Sequence, residues 1–489
     1  MDLSSTTVQQ LDARIAVPTY DRGALSRSIV HIGVGGFHRA HLALYVDELA
    51  RMGNTDWGIV GAGILAGDAD MASALAAQDG LYTLVTRDER SVDARVVGSL
   101  VDYVHAYPDL EPLVARIADP ATQIVSLTIT EGGYPVDDDT GVFDPDAPTA
   151  GPSSTFAAIV RGLRRRLDAG LGPVTVLSFD NIMSNGEVSR TATLGVARDL
   201  DPELVPFIEQ QVTFPSSMVD RIVPMTTDDD RRYVAEELGV QDRWPVMTEP
   251  FRQWVVEDRF AAGRLPLDQL DVIVTDDVEP YELFKLRLLN ASHSSLAYLA
   301  RLVDLELVHD VLADQGFAAY VRALLVEEAG PAVPRAPGID LADYQATLLA
   351  RFANPVIGDQ VDRLCLDGSS KFPKFLLPTL RAQLAADGPI ELATLALAGW
   401  CQYLLGVSES GARIPLSPDP RLDEAQRHAR ASQQDPAAFL AFRPVFGEDL
   451  PASQRFTDTF GEALTSLRRD GVRSSIARRL DDPGTHPDG

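Results

Sequence analysis

"IVHIGVGGFHRAHLALYVDELARMGNTDWGIVGAGI", residues 29–64, is the stretch on which the fold turns. Residues 29–34 form a short apolar run with β-branched side chains, bounded by glycine, which reads as a buried strand. From Phe37 to Leu49 apolar residues recur at helical spacing, and Gly53 supplies a stop. "WGIVGAGI" (57–64) reads as a second strand, so the stretch is a strand–helix–strand unit of the expected size. The turn "GVGGFHR" (33–39) leaves the first strand and opens the helix. Glycines there let the backbone turn tightly and approach a pyrophosphate at a helix start. Gly33 and Gly35 fit the pattern G-x-G-x-x-G; His38 occupies the third glycine position and Gly36 is extra. Asp68 follows the second strand, where it is either an acceptor for a ribose diol or the N-cap of a helix over 69–78.

Further strands are expected at 81–87, 94–104, 122–130 and 172–180, with helical patterns at 109–119 and 153–169 between them. "TQIVSLTIT" and "GPVTVLSFD" are continuous apolar runs, as parallel strands buried on both faces require. The Asp-, Pro- and Gly-rich segment 137–154 reads as a loop. These patterns predict an α/β, doubly wound, Rossmann-type domain over 1–284. Beyond Tyr281 the texture becomes apolar at helical spacing with few breakers, which predicts a mainly helical domain over 285–489, ending in a disordered tail from 481.

The chain's 71 acidic and 43 basic residues give a net charge of −28. That sign disfavours nucleic acid and anionic membrane partners. No apolar run approaches the roughly 18 residues of a spanning helix, and "MDLSSTTVQQLDAR" has neither the basic start nor the apolar core of a secretory signal. A cytoplasmic protein, monomeric or a small homo-oligomer, is expected. Two cysteines and eight scattered histidines offer no metal site, and there is neither a nucleophile elbow nor a Walker loop.

Forty of the 43 basic residues are arginine; the lysines are Lys285, Lys371 and Lys374. Arginine keeps its proton at working pH, whereas a buried lysine can lose it. On the helix from Tyr281, Asn290 lies about 140° and His293 about 80° around the axis from Lys285, all within one sector. One reading makes them a surface lysine, a kink and a core histidine. The other makes Lys285 a desolvated general base, with Asn290 and His293 orienting an alcohol or carbonyl oxygen. Asn181 ends the strand at 172–180, where it either closes a turn or donates to a developing alkoxide. Glu282, one turn before Lys285, either pairs with it or passes its proton to solvent.

The strings "HIGVGGFHRAH" (31–41), "TEGGY" (130–134), "SFDN" (178–181), "FPSSMVDRIVP" (214–224), "TEPFRQWVVEDRF" (248–260) and "KLRLLNASHS" (285–294) resemble the polyol-specific long-chain dehydrogenases, over about 25–460. The resemblance implies a metal-independent, NAD-linked oxidoreductase with its site in the cleft between the two domains. It implies that Lys285 is the base, that Asn181 and Asn290 hold the oxyanion, and that His293 binds substrate. Gly33, Val34, Gly35, Gly36, Phe37, His38, Arg39 and Asp68 would bind the cofactor. "VDRLCLDGSSKFPKF" (361–375) resembles the mannitol-type substrate segment, which makes Arg363 and Lys371 hydroxyl-binding residues beside Asp220, and Glu282 a gate for the proton. Oxidation of mannitol or D-arabinitol at C2 is the activity implied, with reduction of a hexuronate such as fructuronate as the alternative. Gly67 stands where family members can carry a second acid before Asp68.

Overall fold

A computed structural model describes residues 1–26, 28–137 and 140–481, arranged in two compact units, Met1–Glu279 and Pro280–Gly489. The tail expected to be disordered lies, apart from Asp481, outside the described residues.

At the centre of the first unit is a five-stranded sheet. Its strands are β1 (Ile29–Ile32), β2 (Ile59–Gly63), β3 (Leu100–His105), β4 (Ile124–Leu127) and β5 (Thr175–Ser178). They lie in the order β3-β2-β1-β4-β5, and every neighbouring pair is parallel. This is the doubly wound dinucleotide-binding order, whose direction of winding reverses between β1 and β4. Helices cover both faces, and every residue of β1, β4 and β5 is buried. That double burial is why their sequences carry apolar residues on both faces rather than alternating, with His31, Ser126, Thr175 and Ser178 as buried polar members. Two smaller sheets flank this core: Ile15–Ala16, Val92–Val97, Tyr82–Arg87 and Val246–Thr248 in one, Ile273–Thr275, Gln253–Glu257 and Ser217–Asp220 in the other.

Two expected elements divide. The run at 94–104 is two strands, because the chain changes sheets at Gly98 and Ser99. Val92–Val97 pairs antiparallel with Tyr82–Arg87, whereas β3 pairs with β2. The helix expected from Phe37 is also two pieces, Gly36–Ala40 and Leu42–Arg51, hinged at His41 with φ −121° and ψ −95°. The cause is competition for carbonyls: Tyr82 Oη donates to Arg39 O and the Arg221 guanidinium to Ala40 O, so side chains replace the helical ladder there.

The second unit is helical, with no strand beyond isolated bridges among the described residues. Its centre is Ala291–Leu302, in which every residue is buried, packed on Glu391–Tyr403. A Cβ on Gly399 would meet Leu299 Cδ2 at 2.6 Å, so the glycine sets how closely these two helices approach. No helix among the described residues is long and apolar enough to cross a membrane.

Candidate functional site

The winding of the central sheet reverses beside the Gly33 turn. Gly33 has φ +92°, and a Cβ there would lie 2.1 Å from the Thr128 carbonyl oxygen at the end of β4. No other residue fits. Around Gly35 the nearest atom to a built Cβ is 3.9 Å away, so an incoming group can reach the backbone. A glycine cradle, closed toward β4 and open above Gly35, fits a pyrophosphate.

His38 and Arg39, which the resemblance places among the cofactor residues, turn their side chains into the protein. Arg39 is 1% exposed; its guanidinium donates to Gly35 O and Trp244 O and covers the Tyr82 ring. His38 is equally buried and stacks on His31 at 3.5 Å. Burial first, then neighbouring His31, Arg39 and His41, hold its imidazole far below the ordinary range, so it carries no charge. Both side chains are structural; only the backbone of these residues remains for a phosphate. Phe37 is half-buried and stacks on His41.

Asp68 does not cap the helix Ala69–Ala77. Its carboxylate turns back to accept from Leu65 N at 2.8 Å. It sits against Gly63, the last residue of β2, where a Cβ would come within 2.5 Å of Asp68 Cβ and of Tyr103 Oη. An acid at the end of the second strand is what a ribose diol requires. Space beside Gly67 is open.

Asn181 is exposed just beyond β5, and its neighbour Asp180 explains how it is held. The buried Asp180 carboxylate accepts from Ile129 N, Thr130 N and Tyr134 Oη at 3.0, 2.8 and 2.6 Å. Burial pushes this carboxyl upward while those three donors oppose the shift. One carboxylate thereby ties "SFDN" to "TEGGY" and keeps Thr130 at φ +63°, a conformation that needs such restraint. Asp220 is buried at the end of Ser217–Asp220, opposite Gln253. Asn185 steadies that strand, its amide donating to Asp180 O and Ser217 O while accepting from Ser217 N.

In the second unit the helix Glu279–Lys285 continues through a π turn, Leu286–Asn290, into Ala291–Leu302. Ala291 N–H bonds Leu286 O, five residues back. Such i→i+5 pairing widens the turn, so the angle between Lys285 and Asn290 is smaller than the roughly 140° of a regular α-helix. Lys285 and Asn290 are half-buried and Glu282 is buried one turn earlier. His293 is buried, stacked on Phe352 at 4.1 Å, and its Nε2 has no partner among the described residues. Burial holds it neutral, helped by the positive charges of Arg363, Arg351 and Lys371. The fold therefore gathers His293, Arg363 and Lys371, and adds the buried Arg351, which carried no sequence signal.

Gly368 is what seats the segment bearing Arg363 and Lys371. A Cβ there would meet Tyr298 Oη at 2.3 Å and Trp400 Nε1 at 2.9 Å. Tyr298 Oη also donates to Cys365 O, and Arg301 pairs with Asp362 at 2.7 Å. Both Tyr298 and Arg301 belong to the helix that carries His293. Arg363 itself is exposed and bonded to Asp359 one turn earlier, a surface pairing that costs little to exchange. Among the described residues no His, Cys, Asp or Glu group could hold a metal ion.

Two buried histidines, His31 beneath the glycine turn and His41 at the break between the two helix pieces, make stability depend on pH. Burial lowers His31 and His41 to about 3, below the roughly 6.5 of an unfolded chain. Between those values the unfolded chain binds more protons, so stability falls as pH drops below about 6.5. At pH 5 each histidine costs about 2 kcal/mol. His41 Nε2 donates to Gln253 O, a bond glutamine can replace. Urea unfolding at pH 7.5 and 5 is expected to show a loss about 2 kcal/mol smaller in His41→Gln than in the parent. Equal losses would mean that His41 is not buried neutral.

Residues 27–269 match the family described as the mannitol dehydrogenase Rossmann domain, and residues 277–468 the mannitol dehydrogenase C-terminal domain. Mannitol 2-dehydrogenase of Phaeosphaeria nodorum is 44% identical, across 98% of this chain and 85% of that protein. The mannitol 2-dehydrogenase of Neosartorya fischeri is 40% identical, across 98% and 99%. Among solved structures, Pseudomonas fluorescens mannitol 2-dehydrogenase in ternary complex with NAD and D-mannitol superposes with a TM-score of 0.89 at 40% identity, covering 99% of this chain and 100% of that one. Substrate-free D-sorbitol dehydrogenase gives 0.90 at 34% identity, covering 97% and 100%.

Proposed function

The chain belongs to the mannitol dehydrogenase family, and from that membership we propose that it is an NAD-dependent polyol dehydrogenase oxidising D-mannitol at C2 to fructose. The observation that carries this is the likeness over 99% of the chain, at 40% identity, to an enzyme held with NAD and D-mannitol. D-Arabinitol, oxidised to xylulose, is the second substrate of the same reading. The relatives named above are all named for neutral polyols, which favours this over hexuronate reduction.

The Gly33–Arg39 backbone would hold the pyrophosphate and Asp68 the ribose diol. Bound nicotinamide supplies the acceptor for a hydride from C2. Lys285 takes the proton of the C2 hydroxyl, and Glu282 passes it outward. Asn181 and Asn290 donate amide hydrogens to the oxygen as charge develops on it. Neutral His293 offers its unpartnered Nε2 to a substrate hydroxyl. Arg363, Lys371 and Asp220 supply donors and an acceptor for the others.

A panel of polyols, ketoses and keto-uronates with both nicotinamide cofactors, followed by absorbance, tests the reading. Fructuronate should be reduced at least about tenfold less efficiently than fructose, a difference of about 1.4 kcal/mol in transition-state binding. A better rate with fructuronate or tagaturonate would reassign the substrate.

NAD should be preferred to NADP, because the Asp68 carboxylate would repel a 2′-phosphate. Asp68→Ala is expected to narrow the ratio of kcat/KM values, mainly by improving use of NADP. Equal efficiency with both cofactors in the parent protein would refute this role for Asp68.

A further inference from the structure

Beneath the Gly33 turn runs a chain of hydrogen bonds. Ser126 Oγ lies 2.9 Å from His31 Nδ1, His31 Nε2 lies 2.9 Å from Thr128 Oγ1, and the Thr128 hydroxyl donates to Gly33 O at 2.6 Å. That hydroxyl has one proton, spent on the carbonyl, so toward His31 it only accepts. His31 Nε2 therefore carries the hydrogen. Nδ1 of the neutral ring accepts from Ser126. Each group has one assignment. Stacking under His38, at 3.5 Å with the planes 14° apart, keeps the His31 ring from turning.

The chain ends on the carbonyl of the Gly33–Val34 peptide. In a trans peptide the N–H points opposite to the C=O. Holding the carbonyl on Thr128 thus turns the Val34 N–H away from β4, toward the open side of the turn. No protein group among the described residues takes that N–H.

We propose that Thr128 and His31 are positioning residues for the cofactor, holding the Gly33–Val34 peptide so that the Val34 N–H meets a pyrophosphate oxygen. This rests on the reading of the first unit as an NAD site. The methyl of valine can replace the hydroxyl of Thr128 but cannot hold the carbonyl, whereas serine can.

Thr128→Val and Thr128→Ser, compared with the parent by NADH titration, steady-state kinetics and thermal melting, test the proposal. Thr128→Val should weaken NADH binding and raise KM for NAD by about tenfold or more, the worth of one hydrogen bond to a charged group. KM for the polyol, and kcat at saturating NAD, should stay within about threefold. Thr128→Ser should restore NADH affinity to within about threefold of the parent. Should Thr128→Val not fold, Thr128→Ala removes the same hydroxyl and reads the same quantity. Unchanged NADH affinity on loss of the hydroxyl, no recovery with serine, or an equal rise in both KM values would each overturn it. A parent protein that binds no NADH would instead overturn the cofactor reading itself.

Discussion

Lys285→Ala is expected to lower kcat for polyol oxidation by about 10²–10⁴, the usual contribution of a positioned general base. In energy that is about 2.7–5.5 kcal/mol of barrier. The base must accept a proton in each turnover, and an aliphatic amine does so only when it is neutral. Lys285→Arg tests this separately from charge. Arginine keeps a positive group on a similar stem but does not deprotonate at working pH, so it should be about as slow as alanine. Loss of a merely electrostatic contribution would be repaired by arginine. The rising limb of the pH–rate profile for oxidation should disappear in both variants. Added primary amines should return part of the rate to Lys285→Ala. Because Lys285 is only half-buried, melting temperature should move little, which keeps the kinetic loss from being read as unfolding. Near-normal turnover of Lys285→Ala at neutral pH would remove Lys285 from the role.

The central sheet was legible because its signal is local. β1, β4 and β5 are buried on both faces, and that burial writes itself as short stretches dominated by apolar, largely β-branched residues instead of an alternating pattern. Lys285 stood out because lysine is scarce in this chain. What escaped reading depends on contacts between distant segments. Asp180 looks like one more acid in a turn, until its carboxylate is seen to gather Ile129, Thr130 and Tyr134. Arg39 follows the glycine turn, where the resemblance makes it a cofactor residue, yet Trp244 O takes its guanidinium and Tyr82 lies beneath it. The π turn leaves no mark in composition, since Leu286–Asn290 holds neither glycine nor proline. At about 100° per residue Asn290 already falls in one sector with Lys285, about 140° around the axis, and the i→i+5 turn narrows that angle.

That geometry gives Asn290 its test. Asn290→Ala and Asn181→Ala should each lower kcat by about 10²–10³, or about 2.7–4 kcal/mol, as loss of one donor to a developing oxyanion does. The alcohol oxygen carries little charge in the ground state, so KM for the polyol should change much less than kcat. In Asn290→Ala the helix loses only a half-buried side chain, and a shift of melting temperature is not expected to track the rate. The double variant separates one shared role from two. Donors that serve the same oxygen are coupled: once the first is gone the oxyanion is already poorly held, and removing the second costs less than it does alone. The double change should therefore lower kcat by clearly less than the product of the two single factors. Strict multiplication of the two losses would mean that Asn181 and Asn290 stabilise different atoms. A kcat unaltered by Asn181→Ala would leave Asn290 as the sole donor of the pair.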